Sequence, residues 1–163
     1  MNTSFDMTFA PSAQIVSVVR RFVLSLYERL LGRDELSAQL ALATHELLEN
    51  AVKYNIDDTT FLRVSLLRNS DEAPRFLMTI RTRNRASPSH ITTATEIVGR
   101  FREAADPALL YQQMILASIA STDGSGLGLA RIRAETEMNV DIKVDGDLIE
   151  FIAEIERNLG GRS

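Results

Sequence analysis

HELLENAVKYN, residues 45–55, closes a segment whose apolar residues recur at the spacing of an amphipathic helix. Within it, Glu46 and Asn50 are four positions apart, so a helix places both side chains on one face, and Lys53 lies about a turn further along the same stripe. Packing in a hydrophobic core would not require three polar side chains on this face of the helix. The stripe faces either water or a ligand, and taken alone it favours water, because charged side chains on helices are usually exposed.

The sequence before this stretch predicts one strand and two helices. Alternating apolar residues predict a strand over residues 4–9. Helical spacing from Ala13 onward predicts a first helix that Gly32 stops. The second helix, with Asp34 as its cap, is predicted to run to about Tyr54 and to carry the polar stripe in its last turns.

The sequence after it predicts strands and helices in a mixed order. Two strands are predicted over residues 61–67 and 75–83, joined by a polar turn at 69–72. A helix over 93–103 and a second from 107 onward follow, and then a polar loop at 121–125 and a helix over 127–137. A closing hairpin is predicted over 140–144 and 148–155. This order predicts an α+β fold, a two-layer α/β sandwich with a mixed, mostly antiparallel sheet and helices on one face. Residues 1–158 are expected to form a single domain, and residues 159–163 a disordered tail.

Composition excludes several classes of protein. The chain has 163 residues, 45% of them hydrophobic, which suffices for one domain with its own core. Its net charge of −4 argues against general binding to nucleic acid or to an anionic membrane. Cysteine is absent, which removes thiolate chemistry, and two histidines are too few for a histidine-based metal site. With neither a secretory leader nor a long apolar run, the sequence predicts a cytoplasmic protein.

A second motif follows much later in the chain. DGSGLGLARI, residues 123–132, has glycines at 124, 126 and 128 directly ahead of a predicted helix. Glycine backbones and a helix N-terminus together can cradle a phosphate. The loop lacks the Gly-Lys-Ser/Thr of a P-loop, and its spacing fits a dinucleotide fingerprint poorly. In isolation, the loop favours a flexible helix N-terminus over a phosphate cradle, because short glycine motifs often occur by chance.

The two motifs together resemble those of the GHKL superfamily, the histidine kinase-like or Bergerat ATPases. The family pairs an E-x-x-x-N helix, here Glu46 to Asn50, with a later G-x-G-L-G-L loop, here Gly124 to Leu129. The opening FDMTFAPSAQIVSVVRRFV, residues 5–23, resembles that of the anti-sigma serine kinases. The runs IRTRNRASPSHI, DPALLYQQMILAS and GSGLGLARI resemble the SiaB-type kinases of bacterial partner-switching systems.

This resemblance implies ATP and Mg²⁺ as cofactors and gives each motif residue a role. Asn50 is expected to bind the Mg²⁺ ion, and Glu46 to act as the catalytic general base. Lys53 is expected to meet phosphate, and Tyr54 to pack against the nucleoside, although simple packing at the helix end also explains a tyrosine there. The loop residues are expected to close over the phosphates and to order a lid between Ala86 and Asp123; they are Gly124, Gly126, Leu127 and Gly128.

One family motif is degenerate in this chain. Where the family carries D-x-G-x-G, whose aspartate accepts the adenine amino group, the strand here runs into RTRNRASP, residues 81–88. Thr82 and Asn84 share the strand face that would meet the base, and Asn84 is preferred, which puts Ala86 and Pro88 at the glycine positions. A neutral acceptor forms a weaker bond than a carboxylate, so nucleotide affinity is expected to fall by about 1 kcal/mol or more.

Three arginines, Arg81, Arg83 and Arg85, alternate along the same strand end. They predict either a docking patch for an acidic partner or a solvated strand end that balances an acidic protein. The pattern favours the solvated strand end, because charged side chains are usually exposed.

Two functional hypotheses follow from the resemblance. The first is an ATP-binding serine/threonine protein kinase-like regulator of a partner-switching system, which phosphorylates a small STAS-like antagonist. The second is a degenerate, non-catalytic GHKL domain that acts as an anti-sigma-type module and binds a sigma factor or another small regulatory protein. Members of the family often dimerise, so a homodimer is possible under either hypothesis. Neither hypothesis expects binding to nucleic acid or to a membrane.

Overall fold

The computed structural model describes residues 2–32, 35–68, 75–120 and 126–158. Within these ranges the chain forms five strands and five helices. In chain order they are β1 (Thr3–Phe9), α1 (Ala13–Leu31), α2 (Glu35–Lys53), β2 (Thr60–Arg68), β3 (Arg75–Arg85), α3 (Pro88–Glu103), α4 (Pro107–Ala120), α5 (Leu127–Glu135), β4 (Asn139–Asp145) and β5 (Leu148–Asn158).

The described strands form one sheet in the order β1-β2-β3-β5-β4, and each pairs antiparallel with its neighbour. Side chains alternate between the two faces, as a period of two requires. On β3, Met78, Ile80 and Thr82 are buried on one face, whereas Arg83 and Arg85 are exposed on the other. The helices cover the buried face. The predicted α+β sandwich with helices on one face is therefore confirmed.

The core lies between the sheet and α2. Leu40, Leu47 and Leu48 of α2 are fully buried, together with Leu62 of β2 and Met78 of β3. Helix α1 packs along α2, and α5 packs between α2, α3 and α4. The helix that carries the polar stripe therefore has its apolar side fixed by the core, which leaves the stripe turned toward α5.

The ends of the first two helices confirm the predicted stops. Gly32 has a φ of 94°, and its N–H donates to the carbonyl of Glu28 at 3.1 Å, which closes α1. Asn55 follows α2, and its side-chain oxygen accepts from the N–H of Asp57 at 2.9 Å. That bond gives the backbone an alternative to the helix, which explains the break.

Helix α3 begins earlier than the sequence pattern predicts. The pattern predicts a start at residue 93, but the helix starts at Pro88. The Ser87 hydroxyl accepts from the N–H of His90 at 3.3 Å, and proline fits the first turn because its missing N–H has no helical partner there. The predicted lid between Ala86 and Asp123 accordingly contains two helices, α3 and α4.

The three arginines of β3 all have partners within the chain, which favours the solvated strand end over a docking patch. Arg81 pairs with Glu150, Arg83 lies over the ring of Phe61, and Arg85 pairs with Asp57 and Asp147.

Several predictions fall outside the described residues. They are the cap at Asp34, the turn at 69–72, the loop at 121–125 with Gly124, and the tail at 159–163. Across the described ranges, none of the helices combines the length and the apolar character needed to cross a membrane.

Candidate functional site

The polar stripe of α2 lies on the face that turns toward α5. Glu46 is only 8% exposed, although it is a carboxylate, while Asn50 and Tyr54 are half-buried and Lys53 is exposed. Charged groups are seldom buried unless they have a partner. The position of Glu46 is therefore not that of a solvated helix residue.

The glycine motif turns the chain sharply into α5. Gly126 caps the helix in the left-handed conformation, with a φ of 84°, and a Cβ there would overlap Cδ1 of Ile97. At Gly128 a Cβ would lie 2.6 Å from Oε2 of Glu46. Real Cβ atoms essentially never approach another atom this closely, so the chain needs glycine here for the carboxylate to keep its place.

Both motifs line one cavity of about 280 Å³. Its walls comprise, from the end of α2 and the residue after it, Glu46, Glu49, Asn50, Lys53 and Tyr54, and, from the start of α5, Gly126, Leu127 and Gly128. The structure thus brings seven of the nine predicted site residues together from segments far apart in the chain. The other two differ: Gly124 lies outside the described residues, and Asn84 is described but not in the wall.

The carboxylate of Glu46 has a partner that the motifs did not reveal. Nη1 of Arg131 lies 3.1 Å from Oε1 of Glu46, and Nε of Arg131 bonds to Oε2 of Glu135 at 2.9 Å. Arg131 is three positions after Gly128, so both lie on the same side of α5. That spacing is visible in the sequence, but only the packing of α5 on α2 shows what the arginine meets.

The amide of Asn50 could serve two parts of a Mg²⁺-bound phosphate. Its Nδ2 atom, a donor, is buried and has no hydrogen-bond partner among the described residues, so an acceptor such as a phosphate oxygen would complete it, whereas a hard cation would bind Oδ1. In the part of the chain that the structure describes, no group of three or more His, Asp or Glu side chains could hold a metal. A cation at Asn50 would therefore take its remaining ligands from water and phosphate, as Mg²⁺ commonly does.

Tyr54 already has an aromatic partner within the chain. The His90 ring stacks on it with centroids 3.8 Å apart and planes 12° from parallel. Nζ of Lys53 lies 4.9 Å from the same tyrosine ring. Burial lowers the pKa of His90, and the charge of Lys53 lowers it further. One face of Tyr54 is thus covered. The sequence pattern does not reveal this role of His90. It predicts that α3 starts at residue 93, whereas the helix starts at Pro88 and therefore includes His90.

Thr82 and Asn84, the two candidates for base contact, are both buried on the helix-facing side of β3. Nδ2 of Asn84 donates to the carbonyl of Arg85 at 2.9 Å, which leaves Oδ1 as the acceptor. Neither that oxygen nor Oγ1 of Thr82 has a hydrogen-bond partner within the described residues. Neither residue belongs to the cavity wall.

Comparison with known proteins identifies the fold. No protein-family model matches the sequence, and no curated protein matches it. The structure is similar to a chain in the crystal structure of the SiaB–SiaC complex from Pseudomonas aeruginosa, with a TM-score of 0.62. The similarity covers 93% of this chain and 89% of that chain, at 12% sequence identity. At such low identity, the likeness concerns the fold and not the chemistry.

Proposed function

We propose that this chain is an ATP-binding serine/threonine protein kinase-like regulator of a bacterial partner-switching system, and that it phosphorylates a small STAS-like antagonist. The observation that carries the proposal is the shared cavity, where Glu46 and Asn50 of α2 meet Gly126 and Gly128 of α5. Nothing in the stability of the fold requires a half-buried amide and a buried carboxylate beside a glycine turn. The similarity to a chain of the SiaB–SiaC complex supports a regulatory partner of this kind.

Several residues of the cavity then have chemical tasks. Glu46 accepts the proton of the partner's serine or threonine hydroxyl as its oxygen attacks the γ-phosphoryl. Asn50 would hold Mg²⁺, which when bound neutralises charge on the triphosphate. The N-terminus of α5 directs backbone N–H groups and the positive end of its dipole toward the anion. Lys53, exposed at the cavity, adds a point charge.

The residues expected to contact the adenine favour a second function. Asn84 stands where the family carries aspartate, neither it nor Thr82 lines the cavity, and Tyr54 is covered by His90. A cavity of about 280 Å³ is slightly smaller than the roughly 300–1,000 Å³ of small-molecule sites. These features fit a degenerate GHKL module that binds a sigma factor or another regulator without turnover.

Nucleotide binding is tested by a thermal-shift titration with Mg·ATP. A ligand at one hundred times its dissociation constant stabilises the folded state by about 2.7 kcal/mol, and a domain of this size gains roughly 2–4 °C per kcal/mol. We expect this shift for the wild type and a much smaller one for Asn50→Ala. The matched control is Gln39→Ala, which removes an amide from the same helix, three turns earlier. No shift for the wild type at millimolar Mg·ATP would reject the kinase proposal.

Phosphoryl transfer separates the two functions. The protein is incubated with Mg·ATP and a purified STAS-like partner, and the mass of that partner is measured. A gain of one phosphate that Glu46→Gln strongly slows is expected of the kinase. Binding of the partner with no gain in mass is expected of the module.

A further inference from the structure

The carboxylate of Glu46 is held by two positions one turn apart on α5. Gly128 leaves room for Oε2, and Arg131 binds Oε1 at 3.1 Å. A further turn along, Glu135 bonds to Nε of Arg131 at 2.9 Å, which orients the guanidinium from its other side. The two oxygens of Glu46 are therefore not equivalent. Oε1 is bound, and Oε2 lies beside Gly128 in the wall of the cavity.

Arg131 balances the charge of Glu46 at the edge of the cavity. A carboxylate that must work beside a triphosphate meets strong repulsion, since like charges disfavour each other most where water is excluded. A guanidinium bound to Oε1 offsets that repulsion without occupying Oε2.

Building on the proposed function, we propose that Arg131 is the positioning residue for Glu46. It fixes the carboxylate in the orientation in which Oε2 faces the cavity and takes the hydroxyl or water proton. Arg131 itself does not line the cavity, so it acts through Glu46 and not on the nucleotide. Catalysis by a positioned group is sensitive to small displacements, and a misplacement of about 1 Å can cost about a hundredfold in rate.

The test uses the full chain and radiolabelled Mg·ATP, and it measures release of phosphate and, with the purified STAS-like partner present, transfer of the label to that partner. We expect Arg131→Gln to lower kcat at least about tenfold and to leave KM for Mg·ATP within about twofold. Arg131→Lys should recover part of the rate, because it keeps the charge and loses the fork geometry. In a Glu46→Gln background, Arg131→Gln should lower the rate no further, because the residue through which it acts is already gone.

Arg133→Gln is the matched control on the same helix. Arg133 donates to the carbonyl of Met138 and to the side chain of Asn139, and does not contact Glu46. The turnover rate of Arg133→Gln should therefore equal that of the wild type. Circular dichroism confirms that each variant is folded.

The contrary outcomes separate the two levels of the proposal. Wild-type protein that binds Mg·ATP, and neither releases phosphate nor labels the STAS-like partner, would overturn the proposed function and this inference together. Turnover that Arg131→Gln leaves intact would overturn the inference alone. A raised KM with unchanged kcat, or an equal loss in the Glu46→Gln background, would also overturn it, because Arg131 would then act independently of Glu46.

Discussion

Gly128 is the residue at which the two halves of the site touch. Glycine inside a helix costs roughly 0.5–1 kcal/mol relative to alanine, so a helical glycine needs a reason. Here the reason is the 2.6 Å that a Cβ would leave to Oε2 of Glu46. Because the atom it would meet is the far end of a flexible side chain, the carboxylate can turn away at small cost to the fold. The effect of a Cβ at this position would therefore be to move the Glu46 carboxylate, and not to unfold the protein.

We expect Gly128→Ala to keep the fold and to lose activity. The methyl group displaces the Glu46 carboxylate from its contact with Arg131, so phosphate release from Mg·ATP should fall at least about tenfold. The melting temperature should stay near that of the wild type, because the gain in helix propensity offsets the displacement. Thermal melts and turnover assays on the same samples measure both quantities.

Gly99→Ala in α3 is the matched control. A Cβ at Gly99 would meet nothing within 4 Å, so this substitution should stabilise the protein by roughly 0.5–1 kcal/mol and leave turnover unchanged. Full activity in Gly128→Ala would contradict the assignment of a working position to the Glu46 carboxylate.

At the scale of elements, the site depends on how α5 begins. Gly126 combines two constraints, a φ of 84° and a methyl-sized overlap with Ile97 of α3. The first sets the direction of the helix, and the second fixes how closely α3 and α5 pack. The glycine motif is therefore also a packing device, whether or not it binds phosphate.

Gly126→Ala and Gly146→Ala separate these two constraints. Gly146, in the turn between β4 and β5, has a φ of 61°, and a Cβ added there would meet nothing within 4 Å, so alanine should cost only the left-handed strain of about 1–2 kcal/mol. Gly126→Ala should cost clearly more, because the methyl also meets Ile97. Urea unfolding measures both free energies, and equal losses would show that Ile97 gives way without resistance.

The elements also show what the sequence could and could not predict. Apolar spacing located α1, α2 and the strands, and the four-residue spacing of Glu46 and Asn50 placed both on one helix face. The start of α3 at Pro88 differs from the predicted residue 93 because apolar spacing carries no information about a Ser-Pro start. The contact of Arg131 with Glu46 joins residues 85 positions apart, so no local pattern encodes it. The stack of Tyr54 on His90 likewise depends on where two elements meet.

At the scale of the whole molecule, the site joins the end of α2 to the starts of α3 and α5. The His90 ring ties α3 to α2 through Tyr54, with centroids 3.8 Å apart. A proton added to this buried ring must be accommodated beside the charge of Lys53. The stability of the whole fold is therefore coupled to the protonation of one side chain.

The sign of that coupling follows from the direction of the shift. Burial, and then the charge of Lys53, hold the pKa of His90 below its ordinary value of 6.5. The unfolded chain therefore binds more protons than the folded one between these two pKa values, and the free energy of unfolding falls as the pH is lowered through that window. Above the unfolded value, the contribution is fully present.

We expect the wild type to lose more stability than His90→Phe when the pH is lowered from about 7.5 to about 5.5, in urea unfolding at both values. Phenylalanine keeps a ring to stack on Tyr54 and cannot take up a proton, so carboxylate contributions common to both proteins cancel in the comparison. Lys53→Met should lie between the two, because it removes the second cause of the shift and leaves burial in place. Equal losses in the wild type and His90→Phe would mean that the ring accepts a proton as easily in the folded protein as in the unfolded chain, and the stack would then have to open without cost to the fold.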